Sequence, residues 1–131
     1  MDLKVTRGVI ATLLAEAANA APEECCGLLL GSDEFVMEAR PAANVAADRS
    51  RNFEIDPAAL LAAHKEARRG GPRIAGYYHS HPEGHPVPSA TDCEHASGDA
   101  RLWAIIAGGE VALWKDEIEG FEQLSYRVVG S

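Results

Sequence analysis

His79-Ser80-His81 places two imidazoles two residues apart, and Asp92 follows His81 by eleven residues. On a strand, side chains at i and i+2 share a face, so both rings can address one point in space. Two imidazole nitrogens and one carboxylate oxygen make three ligands for a zinc ion. Catalytic zinc sites use three protein ligands and keep the fourth position for water, whereas structural sites are closed by four. An open position suits hydrolysis, because zinc lowers the pKa of bound water toward about 7. The water also needs a proton acceptor that later delivers the proton to the leaving amine. Glu24, which follows the helix-stopping Pro22 and enters an apolar run, is the candidate. Each piece has a plainer meaning on its own. His-x-His on a strand is often a surface pair, Ser89-x-x-Asp92 reads as a capping box, and an isolated Glu24 would be a rim ion-pair partner. The joint occurrence of all three favours a site.

The pattern around these residues supplies elements to position them. Thr6 reads as an N-cap, and Ile10, Leu14, Ala17, Ala18 and Ala21 recur at helical spacing until Pro22. Cys26 to Leu30 is a buried strand ending at Gly31, and Phe35-Val36-Met37 a second strand. Residues 41–51 read as a loop. Phe53 and Ile55 alternate with Asn52, Glu54 and Asp56, which predicts a brief strand. Pro57 opens a helix that runs to about Arg69 and stops at Gly70-Gly71. Ile74 to His81 is the strand that carries the imidazoles, Pro82 to Pro88 a loop, and Ser89 the start of a short helix. Leu102 to Ala107 is a central strand, turned by Gly108-Gly109 into Val111 to Trp114. Leu124, Tyr126 and Val128 alternate along one last strand. The expected fold class is α/β, a single domain over 1–131 with a mixed sheet flanked by helices.

Composition narrows the function. The chain of 131 residues is 47% hydrophobic and 24% charged, as in a folded domain, with a formal net charge of −8. Phosphate neutralisation demands a basic stripe, and the one basic cluster, at Lys65, Arg68 and Arg69, reads as a solvated helix end. Nucleic acid is therefore not an expected partner, and neither is a membrane, because no run approaches the roughly 18 apolar residues of a span. Met1-Asp2-Leu3-Lys4 does not open a basic-then-apolar leader. Three cysteines, Cys25, Cys26 and Cys93, form no C-x-x-C pair. A reducing, cytoplasmic setting is expected.

The same residues carry a resemblance. His79-Ser80-His81-Pro82, six residues, Ser89, two residues and Asp92 reproduce the signature of the JAMM, or MPN-plus, metalloproteases. The stretch Pro22-Glu23-Glu24-Cys25-Cys26-Gly27-Leu28-Leu29-Leu30-Gly31 resembles that family's upstream Glu-x-Cys-Gly-x-Leu-x-Gly. Asn52 to Pro57 resembles its short bacterial members. The resemblance implies one catalytic zinc ion held by His79, His81 and Asp92, Glu24 as general base and acid, and Ser89 as a hydrogen-bond donor to the oxyanion. It implies a curved mixed sheet wrapped by helices, of cytidine-deaminase-like architecture. It also implies peptide or isopeptide cleavage at the C-terminus of a ubiquitin-like protein, with a sulfur carrier as the partner expected for a short bacterial member. A non-catalytic scaffold of the same fold and a zinc hydrolase of small amides are the alternatives.

Other residues take plainer roles. His85 reads as a solvated loop residue, and His64 and His95 lack ligand spacing. The cysteines are expected to pack, as are Trp103 and Trp114 in the core or on the sheet. His81-Pro82-Glu83 also opens the zinc-deaminase signature, but the required Pro-Cys-x-x-Cys is missing.

Overall fold

Three consecutive leucines show how the sheet sorts its faces. In the strand Cys26–Gly31, Leu29 packs with Val9, Leu13, Tyr78 and Ile106, while Leu28 and Leu30 pack with Ala63, Leu60 and Tyr77 on the opposite side. A strand buried on both faces reads as a continuous apolar run, not an alternating one. The structure, a computed structural model, describes residues 3–130. Met1, Asp2 and Ser131 lie outside the described residues, so the reading of Met1-Asp2 as the start of a leaderless chain lies partly outside them too.

The elements in chain order are β1 (Leu3–Thr6), α1 (Arg7–Ala20), β2 (Cys26–Gly31), β3 (Phe35–Ala42), α2 (Pro57–Arg68), β4 (Ile74–Ser80), α3 (Ala90–His95), β5 (Leu102–Ala107), β6 (Glu110–Glu117), β7 (Gly120–Leu124) and β8 (Tyr126–Val129). The strands form one mixed sheet in the order β7-β6-β5-β4-β2-β3-β1-β8. Pairings β1–β3, β1–β8 and β4–β5 are parallel, and the others antiparallel. Although β7 and β8 are separated only by Ser125, they form opposite edges of the sheet. The sheet therefore curls until its edges approach, and the Tyr126 hydroxyl donates to the Val111 carbonyl at 2.6 Å across that approach. No helix among the described residues is long and apolar enough to cross a membrane.

Helix α1 lies on one face. Thr6 caps it, its hydroxyl oxygen accepting from the Val9 amide at 3.2 Å. Its buried residues are Val9 and Leu13, with Ile10, Leu14, Ala17 and Ala20 packed beside them. The buried stripe is thus centred one residue before the expected one, and Ala18 and Ala21 are exposed. Helix α2 covers the other face, capped by Asp56 with Pro57 at its first turn.

Four expectations are corrected. The brief strand over Asn52–Asp56 is a loop with one isolated bridge, Asn44 to Ile55. Its alternation is real, but Phe53 and Ile55 turn inward from a loop without a pairing strand. The predicted loop begins later, because β3 runs through Ala42. The last strand is two strands, broken at Ser125, and β1 precedes the first helix where none was expected. Four residues of β1 are too few to display a period.

Candidate active site

The parallel pair β4–β5 builds the floor of the site. His79 sits in register with Cys26 on one side and Ile105 on the other, and is fully buried. His81 lies one residue past β4, yet its amide still donates to the Ile106 carbonyl at 2.8 Å. The two-residue repeat therefore persists, and both imidazoles point the same way. Ser80, between them, points oppositely and accepts from the Cys25 amide at 2.9 Å. Gly76 lets β4 approach β5, since a Cβ there would lie 1.8 Å from the Leu102 carbonyl oxygen.

Asp92 arrives on α3. Ser89 caps this helix through a complete capping box. Its hydroxyl oxygen accepts from the Asp92 amide at 3.0 Å, and its own amide donates to Asp92 Oδ2 at 2.9 Å. The box presents the same oxygen to both imidazoles. His79 Nε2 and His81 Nε2 lie 3.1 and 3.2 Å from Asp92 Oδ2 and 3.1 Å from each other. Beyond the helix, the buried Asp116 carboxylate accepts from the Ser97 and Gly98 amides at 2.9 and 3.1 Å. It thereby ties the loop after α3 to β6.

This triangle fits a divalent ion. Tetrahedral zinc ligands at about 2.0–2.2 Å from the metal stand roughly 3.3–3.6 Å apart, close to the spacing here. Protons on both Nε2 atoms would crowd where the two rings face each other, whereas a central cation accepts three lone pairs. His81 already has the tautomer required, because its Nδ1 is 3.0 Å from the His85 carbonyl and so carries the proton. The two sequence readings of Ser89-x-x-Asp92, as cap and as ligand source, are therefore compatible.

Electrostatics agree with the geometry. Burial alone would raise Asp92, but the His79 and His81 imidazoles and the Ser89 amide together hold its carboxyl far below the usual carboxylate range. Burial drives His79 down and keeps its ring neutral. At His81 burial also pulls downward, but Asp92, the His85 carbonyl and Glu24 outweigh it and raise the ring. Glu24 is pushed up to about 7, first by burial and then by Asp92 and Asp48, against the opposing pull of His81.

Glu24, His81 and Ser89 line one cavity of about 490 Å³ together with Ser50, Arg51, Pro82 and Glu83. Glu24 is 7% exposed. Its amide donates to the Arg49 carbonyl at 2.7 Å, and its carbonyl accepts from Asn44 Nδ2 at 3.0 Å. The family described as prokaryotic homologs of the JAB domain matches residues 6–117, which takes in all five residues singled out from the sequence.

The chain belongs to this prokaryotic JAB family. It is 36% identical over 115 residues to a desampylase of Haloferax volcanii, covering 86% of this chain and 83% of that protein. It is 34% identical over 121 residues to a probable TtuB-protein conjugate cleaving protease of Thermus thermophilus, covering 85% of this chain and 81% of that one. The solution structure of a protein from Desulfitobacterium hafniense superposes with a TM-score of 0.86 at 27% identity, covering 98% of this chain and 94% of that chain. This JAB protein is accordingly a peptidase of the JAMM/MPN type with an α/β fold.

Several residues of this JAB domain that shape the site were not foreseen. Phe53 stacks on His79 with ring centroids 4.2 Å apart and planes within 14°, and Trp103 meets both rings edge-on. Asn44 and Ser80 hold the Glu24 segment. Trp114 Nε1 donates to the Pro86 carbonyl at 3.0 Å and so anchors the loop that bears His85. The interposed position of Ser80 was the one available sequence signal. Cys25 and Cys26 pack beside Glu24 as expected, and burial pushes the Cys26 thiol up to about 12, which keeps it inert. Cys93, expected to pack, is exposed because it follows the inward-facing Asp92 on a helix too short to bury a second side.

Proposed function

We propose that residues 1–131 act as one zinc-dependent JAMM/MPN-plus metallopeptidase domain that cleaves the peptide or isopeptide bond at the C-terminus of a ubiquitin-like protein. The proposed substrate is a sulfur-carrier protein of the ubiquitin fold or a conjugate of one. The observation that carries this reading is the convergence of His79 Nε2, His81 Nε2 and Asp92 Oδ2 to within 3.2 Å of one another beside Glu24. The named activities of the Haloferax and Thermus relatives support the substrate class.

His79, His81 and Asp92 would hold one zinc ion, which supplies Lewis acidity for water ionisation and for the substrate carbonyl. Glu24 takes the proton released as a water oxygen attacks that carbonyl carbon, then gives it to the amine as the carbon–nitrogen bond breaks. A carboxyl group poised near neutral pH suits both transfers. Ser89 spends only its oxygen lone pair on the helix cap, so its O–H is free to donate to the oxyanion developing on the substrate. Glu24 and His81 share the cavity wall with Ser50 and Arg51, which bounds the space for an extended tail.

The test uses the purified chain, zinc analysis and a carrier fused at its C-terminus to a reporter. Glu24→Gln is expected to retain zinc and lose cleavage by about 10²–10⁴, and His79→Ala to lose the zinc itself. Cleavage by Glu24→Gln at the parental rate, or a parent that takes up no zinc, would overturn the reading. Equal cleavage of the fusion and of a short peptide bearing the same tail would point to a small-amide hydrolase instead.

A further inference from the structure

The two imidazoles are oriented by different means. His81 follows the usual rule for a metal-binding histidine, its distal N–H donating to the His85 carbonyl at 3.0 Å. His79 does not. Its Nδ1 is buried and has no hydrogen-bond partner among the described residues. What fixes this ring is aromatic packing, with the Phe53 face at 4.2 Å and the Trp103 edge at 5.7 Å. A stacked face and a perpendicular edge restrict tilting of the ring about its Cβ–Cγ bond, and the unpaired nitrogen is buried beneath them.

Phe53 belongs to the same loop that grips Glu24. Asn44 uses its whole amide there. Nδ2 donates to the carbonyls of Glu24 and Asn52, both at 3.0 Å, while Oδ1 accepts from the amides of Ala46 and Glu54, both at 3.1 Å. The Arg49 carbonyl accepts from the Glu24 amide. One segment, residues 43–56, therefore touches the proposed base through Asn44 and Arg49 and the first proposed ligand through Phe53.

We propose that this loop sets the distance between base and metal, with Asn44 the positioning residue for Glu24 and Phe53 the positioning residue for His79. The inference rests on the metallopeptidase reading above. Ser50 and Arg51, on the cavity wall, lie between the two contacts in sequence, so a substrate tail pressing on them bears on the same device.

The two roles separate in measurement. Asn44→Ala is expected to lower kcat at least tenfold with KM within twofold, and to leave zinc retention against a chelator unchanged, since a displacement of about 1 Å can cost a hundredfold. Phe53→Ala is expected to weaken zinc retention by about 10–100-fold, the range found when support for a ligand is removed. It should also shift the visible absorption of the cobalt(II)-loaded protein, which Asn44→Ala should not. Phe53→Tyr should restore both metal readouts, because it keeps the stacking face. If either alanine variant fails to fold, Asn44→Asp, which keeps both acceptor bonds, and Phe53→Leu, which keeps the burial but not the ring, should give the same split.

Parallel losses of kcat and zinc retention in both variants would mean a merely structural loop and overturn the proposal, as would parental values in both. Glu24→Gln serves as the control. If it cleaves at the parental rate, the metallopeptidase reading itself has failed; if it is inactive while the Asn44 and Phe53 variants behave as the parent, only the positioning roles have.

Discussion

Asp92 and Glu24 reach one cavity by opposite routes. Asp92 is set locally, by a helix of six residues and a capping box closed within four. Glu24 belongs to no helix or strand. Its segment is held by Asn44 and Arg49, and by Ser80, which lies 55 residues from Cys25. The locally built carboxylate is held ionised by the two imidazoles and the Ser89 amide, and the pKa of the remotely built one is raised to about 7 by burial. Two identical functional groups thus acquire from their surroundings the different proton affinities that the proposed roles of ligand and proton carrier require, the pattern by which one fold runs acid and base chemistry at one pH.

Ser89 gives the largest test of the local side. Ser89→Ala removes the cap, worth about 1 kcal/mol, and the proposed oxyanion donor, worth about 10²–10³ in kcat. Ser89→Asp should restore the melting temperature without restoring kcat. Recovery of both would show that Ser89 acts only as a cap.

On the remote side, Glu24 should make the metal-free protein less stable as pH rises. Its folded pKa of about 7 lies above the ordinary value of 4.5, so between those values the folded state binds more protons than the unfolded. Stability therefore falls with rising pH across that window, and above it the full cost of about 3 kcal/mol is present. Metal-free Glu24→Gln should be more stable than the parent at pH 8 by up to that amount, and equal to it near pH 4. Denaturant midpoints across the range measure this, and identical pH slopes in the two proteins would contradict it.

Asp116→Ala asks whether the local route is wholly local. The amides of exposed Ser97 and half-buried Gly98 lose their acceptor, at a cost of about 0.5–1.5 kcal/mol each. If α3 needs its trailing loop, zinc retention also falls; if the capping box suffices, only stability does. Thr6→Ala, remote from both routes, should cost about 1 kcal/mol in denaturant and leave kcat/KM unchanged.

The same contrast explains what the sequence made legible. The pair His79 and His81 is read from strand period and the pair Ser89 and Asp92 from helix-cap spacing, because each relation spans a few residues. The helices α1 and α2 announce themselves through Thr6 and Pro57 for the same reason. Phe53 and Asn44 gave no such signal, since their partners are His79 and Glu24, and only the folded chain brings those together. Phe53 even misled, as a loop residue turned inward alternates with its neighbours like a strand residue. The parting of β7 from β8 was hidden likewise: alternation from Leu124 to Val128 continues unbroken while the hydrogen-bonding partner changes from β6 to β1.

That parting has a mechanical outcome. With a single residue, Ser125, between strands on opposite rims, the rims there can stand no farther apart than two residue steps, about 7 Å. Chain connectivity itself sets the bend of the sheet at that end, whatever the side chains contribute, and holds α1 in a trough that cannot flatten. Lengthening this joint with glycines would slacken the bend without altering any residue of β4 or β5, which makes it a handle on curvature separate from chemistry.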